Sequence, residues 1–193
     1  VFAKYEVAGV VEEVHFADQA LEAFIRELIY KAENSVILTS DLWPVTELTI
    51  PQEVQTLEDL RYFTGLETLI VRKSTVDDYS FLPELKKLKS LDLSGSLVSA
   101  ETLEHISALK ELEALYLNVC GLSNIQAIGT LSALHTLDLS DNSIRDVSAL
   151  SGCVELRILN LARNSLSTLD GLEQLTALTE LDVSTNQITS VAV

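Results

Sequence analysis

The last third of the chain repeats itself. LHTLDLSDNSI begins at Leu134, LRILNLARNSL at Leu156 and LTELDVSTNQI at Leu178, each 22 residues after the one before. The same frame runs backwards with more drift: LEALYLNVCGL from Leu112, LKSLDLSGSLV from Leu88, LETLIVRKSTV from Leu66 and a degenerate VTELTI from Val45. The steps are 21, 22, 24, 22, 22 and 22 residues, so seven registers share one near-constant period. No single copy of this length buries its own leucines. Stacked copies share one continuous core, and a chain built this way folds as a solenoid.

Each copy dictates its own local structure. In L-x-x-L-x-L the closing residues alternate with period two, the mark of a short strand with one buried face. S-D-N, A-R-N and S-T-N then turn the chain. Asn142, Asn164 and Asn186 hold the ninth place of their copies. A carboxamide there can satisfy backbone groups that the turn leaves unpaired, and copies one repeat apart form a ladder. Glu53, Ser74, Ser96 and Cys120 hold that place in the first half. Glu53 is costly to bury and Pro51 breaks a ladder, so the first copy is expected to be an edge coil. The return half carries apolar residues about every three positions, as in Ile144, Val147 and Leu150, which suits short 3-10 or irregular turns. The 24-residue copy from Leu88 differs: Ser99 is a suitable N-cap, and Leu103, Ile106 and Leu109 follow at helical spacing. A helix is expected there on the outer side.

The pattern L-x-x-L-x-L-x-x-N-x-I, running from about Val45 to Val191, resembles leucine-rich repeat proteins. It is similar to the 22-residue form found in bacterial internalins and in a eukaryotic regulatory subunit of protein phosphatase 1. The resemblance implies an α/β leucine-rich repeat solenoid, a right-handed horseshoe or arc. Short parallel strands would line its concave face and 3-10 or irregular turns its convex face, with an N-terminal helical cap. Asp18 as N-cap, with Leu21, Phe24, Ile25, Leu28 and Ile29 on one face, predicts an amphipathic helix over residues 18–31. F-x-D-x-x-L-E-x-x-I-R from Phe16, followed by I-L-T-S-D-L and V-T-E-L, resembles the cap of internalin-like bacterial proteins and favours that branch. The expected organisation is an extended lead-in over 1–16, a helical cap over 17–44 and about seven repeats over 45–193. The last repeat is cut short after Ile188 and Val191. The chain has no Met and reads as a piece of a longer protein, so an export signal or anchor would lie outside it.

Composition removes several functions. Lys and Arg number 13 against 29 Asp and Glu, a formal charge of −16. That argues against nucleic acid, which needs a basic face to displace counterions, and disfavours anionic lipid. No apolar run approaches the ~20 residues of a membrane span, so no membrane insertion is expected. Cys120 and Cys153 cannot build a disulfide framework and read as small hydrophobes. His15, His105 and His135 lie on separated registers, which argues against a zinc site, and no nucleophile elbow or phosphate loop occurs. No catalytic residue, metal or cofactor is assigned. Asp92, Asp138 and Asp182 share the outward mid-strand slot two repeats apart, ~10 Å by strand spacing. A retaining-glycosidase pair needs ~5–5.5 Å, so these carboxylates read as surface solvation. Lys86, Lys87, Lys89 and Lys110 read as solvating the convex side.

What remains are the third, fifth, seventh and eighth slots of each copy, which are expected to point into the concave surface. They carry Ile70, Tyr116, Val119 and Ile158, with Arg72 and Lys73 at one end and Arg163 towards the other. Asp92, Asp138, Asp141, Asn160 and Asp182 lie between. A mixed apolar and charged patch of this kind suits a protein partner; aromatic and Asp residues together also hold carbohydrate. The expected role is a non-enzymatic interaction module of a bacterial cell-surface or secreted protein. The alternatives are a cytoplasmic regulatory or scaffold subunit, or the targeting arm of a longer enzyme.

Overall fold

The computed structural model describes residues 10–189. Residues 1–9 of the expected lead-in over 1–16, and the return residue Val191, lie outside the described residues.

The first described segment pairs with a later one. Val14 N–H donates to the Ile37 carbonyl at 2.9 Å, and Thr39 N–H to the Glu12 carbonyl at 2.9 Å. Helix α1, Gln19–Leu28, follows. Its N-cap Asp18 accepts from Leu21 N–H at 2.9 Å, which satisfies one of the orphan donors of the first turn. The second carboxylate oxygen of Asp18 accepts from Gln55 N–H at 2.6 Å and Thr56 N–H at 3.1 Å. One side chain thus caps the helix and ties it to the first coil. Burial opposes the charge of Asp18, yet these backbone donors hold its pKa below the usual carboxylate value. Leu21 and Ile25 are fully buried, so the helix covers the core with its apolar stripe. A short helix α2, Thr39–Leu42, leads into the coils.

Seven parallel strands form one sheet in sequence order: β1 Glu47–Thr49, β2 Thr68–Ile70, β3 Ser90–Asp92, β4 Ala114–Tyr116, β5 Thr136–Asp138, β6 Ile158–Asn160 and β7 Glu180–Asp182. Every strand begins at the third place of its repeat. The expected edge coil is β1, which pairs only with β2. In-register pairing stacks Leu48, Leu69, Leu91, Leu115, Leu137, Leu159 and Leu181. The first six are at most 2% exposed. Each such leucine contributes roughly 1.5–3 kcal/mol by leaving water.

The return halves are tight. 3-10 turns occupy Glu58–Tyr62, Leu82–Glu84, Gln126–Thr130 and Ser148–Gly152. In the longer copy the expected helix is present as α3, Ala100–Ser107, where Ser99 Oγ accepts from Thr102 N–H at 3.0 Å. Successive turns press so closely that a Cβ on Gly129 would stand 2.3 Å from the Ala149 carbonyl oxygen. Any side chain there forces the coils apart.

Between strand and return, the turn takes the same form in six coils. The eighth residue is left-handed: Lys73, Val119, Asp141, Arg163 and Thr185 have φ between 53° and 60°, and Gly95 has φ +72°. The ninth residue then closes the turn from inside. Asn164 Nδ2 donates to the carbonyls of Leu139 at 2.9 Å and Leu161 at 3.1 Å, and its Oδ1 accepts from Ile144 N–H at 2.9 Å. Asn142 and Asn186 repeat this scheme one coil away on either side. The ladder expected from the sequence is therefore in place.

Candidate functional site

The sheet turns the third and fifth residues of each coil to the outer strand face. In-register pairing sets Ile70, Asp92, Tyr116, Asp138, Asn160 and Asp182 in one continuous row. Six of the twelve sequence-derived site residues are thus immediate neighbours along the strands. Ile158 stands in the adjoining row and is 39% exposed. Lys73, Val119, Asp141 and Arg163 line the left-handed rim.

The carboxylates of the row do not behave alike. Asp138 and Asp182 each accept from the N–H two residues on, at Ser140 (2.9 Å) and Ser184 (2.8 Å), so part of their role is to fix the turn. Asp92 departs furthest from the expected solvated surface group. It is 4% exposed, because Arg72 folds over it with Nε at 2.6 Å and a second nitrogen at 2.5 Å. Ser94 N–H donates to its other oxygen at 2.9 Å. Sequence spacing hid this pair because Arg72 and Asp92 are 20 residues apart and meet only when coils stack. The hydrogen bond and the charge of Asp92 push the pKa of Arg72 further up, so the guanidinium is a permanent cation on a fixed mount.

A depression of about 590 Å³ opens beside this pair, lined by Arg72, Lys73, Asp92, Ser94, Gly95, Tyr116, Asn118, Val119 and Asp138. Six of the expected site residues meet there. Ile70, Asp141, Ile158, Asn160, Arg163 and Asp182 lie outside it. Ser94, Gly95 and Asn118 were not singled out from the sequence, although the seventh and eighth slots were. Gly95 makes the hollow: a Cβ there would stand 3.2 Å from Lys73 Cγ and crowd the floor. Val119 forms part of the wall, 56% exposed and left-handed, a backbone state that costs a β-branched residue roughly 1–2 kcal/mol. Farther along the rim, Arg163 and Asp141 pair at 3.3 Å and largely spend their charges on each other.

Comparisons with known proteins agree with this geometry. A leucine-rich repeat family model matches residues 124–166, and a model of two such repeats matches 154–193. Receptor-like protein 34 of Arabidopsis thaliana is 35% identical over 103 residues, 51% of this chain and 10% of that protein. The volume-regulated anion channel subunit LRRC8E of Homo sapiens is 35% identical over 107 residues, 50% of this chain and 13% of that protein. The chain thus spans about a tenth of the curated relatives it matches. Among solved structures, internalin C2 of Listeria monocytogenes superposes with a TM-score of 0.73, covering 91% of this chain and 87% of that one at 22% identity. An internalin, inlF, of the same organism gives a TM-score of 0.56, 91% and 71% coverage and 20% identity.

The chain carries leucine-rich repeats and has an internalin-like fold.

In this leucine-rich repeat the other chemistry-bearing side chains are dispersed. His15 faces Glu13 at 3.7 Å, His105 faces Glu101 at 3.9 Å and His135 faces Glu113 at 4.0 Å, each in a different part of the chain. Among the described residues no group of three His, Cys, Asp or Glu could hold a metal ion. Cys153 is fully buried and its thiol is pushed up to about 11 by desolvation. Lys86, Lys87, Lys89 and Lys110 are exposed, with Lys89 bridging to Glu67 at 2.9 Å and Lys110 donating to Thr130 at 3.1 Å. Among the described residues, no helix is long and apolar enough to cross a membrane.

Proposed function

We propose that this leucine-rich repeat is a non-enzymatic module that binds a protein partner through its strand face, as part of a bacterial cell-surface or secreted protein. The observation that carries the reading is the depression over Gly95. There, an apolar wall of Tyr116 and Val119 faces a pair of cations on a backbone already fixed by stacked coils. A preordered surface loses little conformational freedom on binding, so its contacts convert efficiently into affinity. Tyr brings large contact area and a hydroxyl with few torsions to freeze. The internalin-like fold and the cap residues from Phe16 to Arg26 support the surface or secreted placement.

The test starts with a photo-crosslinker placed at position 116, and at Lys87 as a control on the turn side. The proposal expects a protein captured from surface or host extracts through position 116 alone. Its affinity should fall at least about tenfold for the double substitution Tyr116→Ala with Ile158→Ala. Neither side chain is in the buried core, so the variant should unfold at the wild-type temperature. Unchanged affinity, or capture through position 87 alone, contradicts the proposal.

A further inference from the structure

The depression over Gly95 sets an ion pair beside an unpaired cation. Arg72 is held by Asp92, while Lys73 is exposed and takes part in no ion pair among the described residues. Two cations against one buried carboxylate leave a single net positive charge on that wall. In a chain of formal charge −16 that wall is locally positive, although Asp138 across the depression balances it. The opposite wall is Tyr116 and the strained, exposed Val119. Asp138 stands on the far side, two strands from Asp92, which sets a negative boundary ~10 Å away. A β-branched residue kept in the left-handed region, with most of its side chain in water, points to a role for that side chain rather than for the turn.

Resting on the binding role above, we infer that this depression selects a partner segment carrying an Asp or Glu next to a large apolar residue. The acid lies against Lys73 and the free edge of the Arg72 guanidinium, and the apolar neighbour packs on Tyr116 and Val119. A single net positive charge on the Arg72–Lys73 wall, faced by Asp138, suits a monoanionic carboxylate better than a dianionic phosphate. Asp138 repels a second acid, so the segment carries one acid at this point rather than a run of them.

The experiment is selection of a displayed random-peptide library on the whole chain at low salt, followed by titration of the leading clone as a synthetic peptide. Enriched clones are expected to carry Asp or Glu within two residues of Leu, Ile, Phe, Tyr or Trp. Binding should weaken at least about tenfold with Lys73→Glu and with Tyr116→Ala, and stay unchanged with Lys87→Glu. Changing the acid of the peptide to Lys should restore binding to Lys73→Glu, a charge swap that a merely structural effect of the substitution could not produce. Clones that need Tyr116 but show no acid and ignore Lys73→Glu overturn this inference and leave the strand-face role standing. Clones indifferent to both substitutions overturn the two together. A library with no enriched clone overturns the inference, and so does a phosphoserine version of the peptide that binds more tightly than the acid.

Discussion

In the coils from Leu134 onward each turn is closed by an asparagine, whereas Ser74, Ser96 and Cys120 do this work in the three coils before them. Asn142 donates to three carbonyls and accepts from Cys120 and Leu122 N–H groups. Ser96, with one hydroxyl, donates to the Val71 carbonyl at 2.7 Å and accepts from Ser74 N–H at 3.0 Å. Cys120 offers a thiol, a weak donor, to the carbonyls of Leu93 at 3.3 Å and Asn118 at 3.5 Å. Tyr79 is buried beside these shorter residues, and its hydroxyl, close to Ser74 and Ser96, meets no partner with hydrogen-bond geometry. The leucine stack is the same in both regions, but the regular one is closed more completely. The irregular one carries α3 and most of the walls of the depression. Variation in the ninth and eighth slots is tolerated because the core does not depend on it, which leaves those coils free to shape a surface.

The largest effect should be the one that ignores the contrast. Leu91 and Leu137 are both fully buried, and Ala at either position should cost about 2–5 kcal/mol by urea unfolding. A much smaller loss at Leu91 would mean that the first coils are not packed on the common core. The turns should then separate the regions. Asn164→Ala strands several buried backbone groups and should cost about 2–3 kcal/mol, while Ser96→Ala should cost about 1 kcal/mol. Equal losses would erase the distinction between the two ladders. Val119→Asn should raise stability by about 0.5–1 kcal/mol, since Asn tolerates the left-handed region and little apolar area is lost. The same change should weaken partner binding, and a gain in both would remove Val119 from the surface.

Tyr79→Phe should shift stability at neutral pH by less than about 1 kcal/mol, because the hydroxyl it removes has no partner. Its effect belongs to alkaline pH. Desolvation pushes Tyr79 up to about 12 from an ordinary 10.0. Its contribution is therefore intact below pH 10, where the unfolded phenol is still protonated. It is lost as pH rises towards 12, because only the unfolded phenol ionises readily. Cys153, raised from 9.0 to about 11, acts in the same sense over pH 9–11. Thermal melts across this range should show a shallower alkaline decline for Tyr79→Phe than for the wild type.

The sequence made the repeat geometry legible because leucine spacing and the turn residues act within a single coil. Ser99 announced α3 and Asp18 announced α1 for the same reason: a cap and its helix are neighbours in the chain. What stayed hidden depends on contacts one coil or more away. Asp92 looked like an outward, hydrated carboxylate until stacking brought Arg72 over it. The second task of Asp18, bonding to Gln55 and Thr56, needs the helix already docked. The hollow over Gly95 was invisible because it is made by a missing side chain between two larger ones on adjacent coils.

Where a partner touches the molecule decides between the strand face and the turns. Backbone amide chemical shifts, recorded for the free chain and for its complex with the partner captured at position 116, report this residue by residue. Changes should concentrate at Arg72, Lys73, Gly95, Tyr116, Asn118 and Val119, fade towards Asp182 and be absent from the 3-10 turns at Gln126–Thr130 and Ser148–Gly152. Changes centred on those turns or on α3, with the strand face undisturbed, would contradict binding through that face.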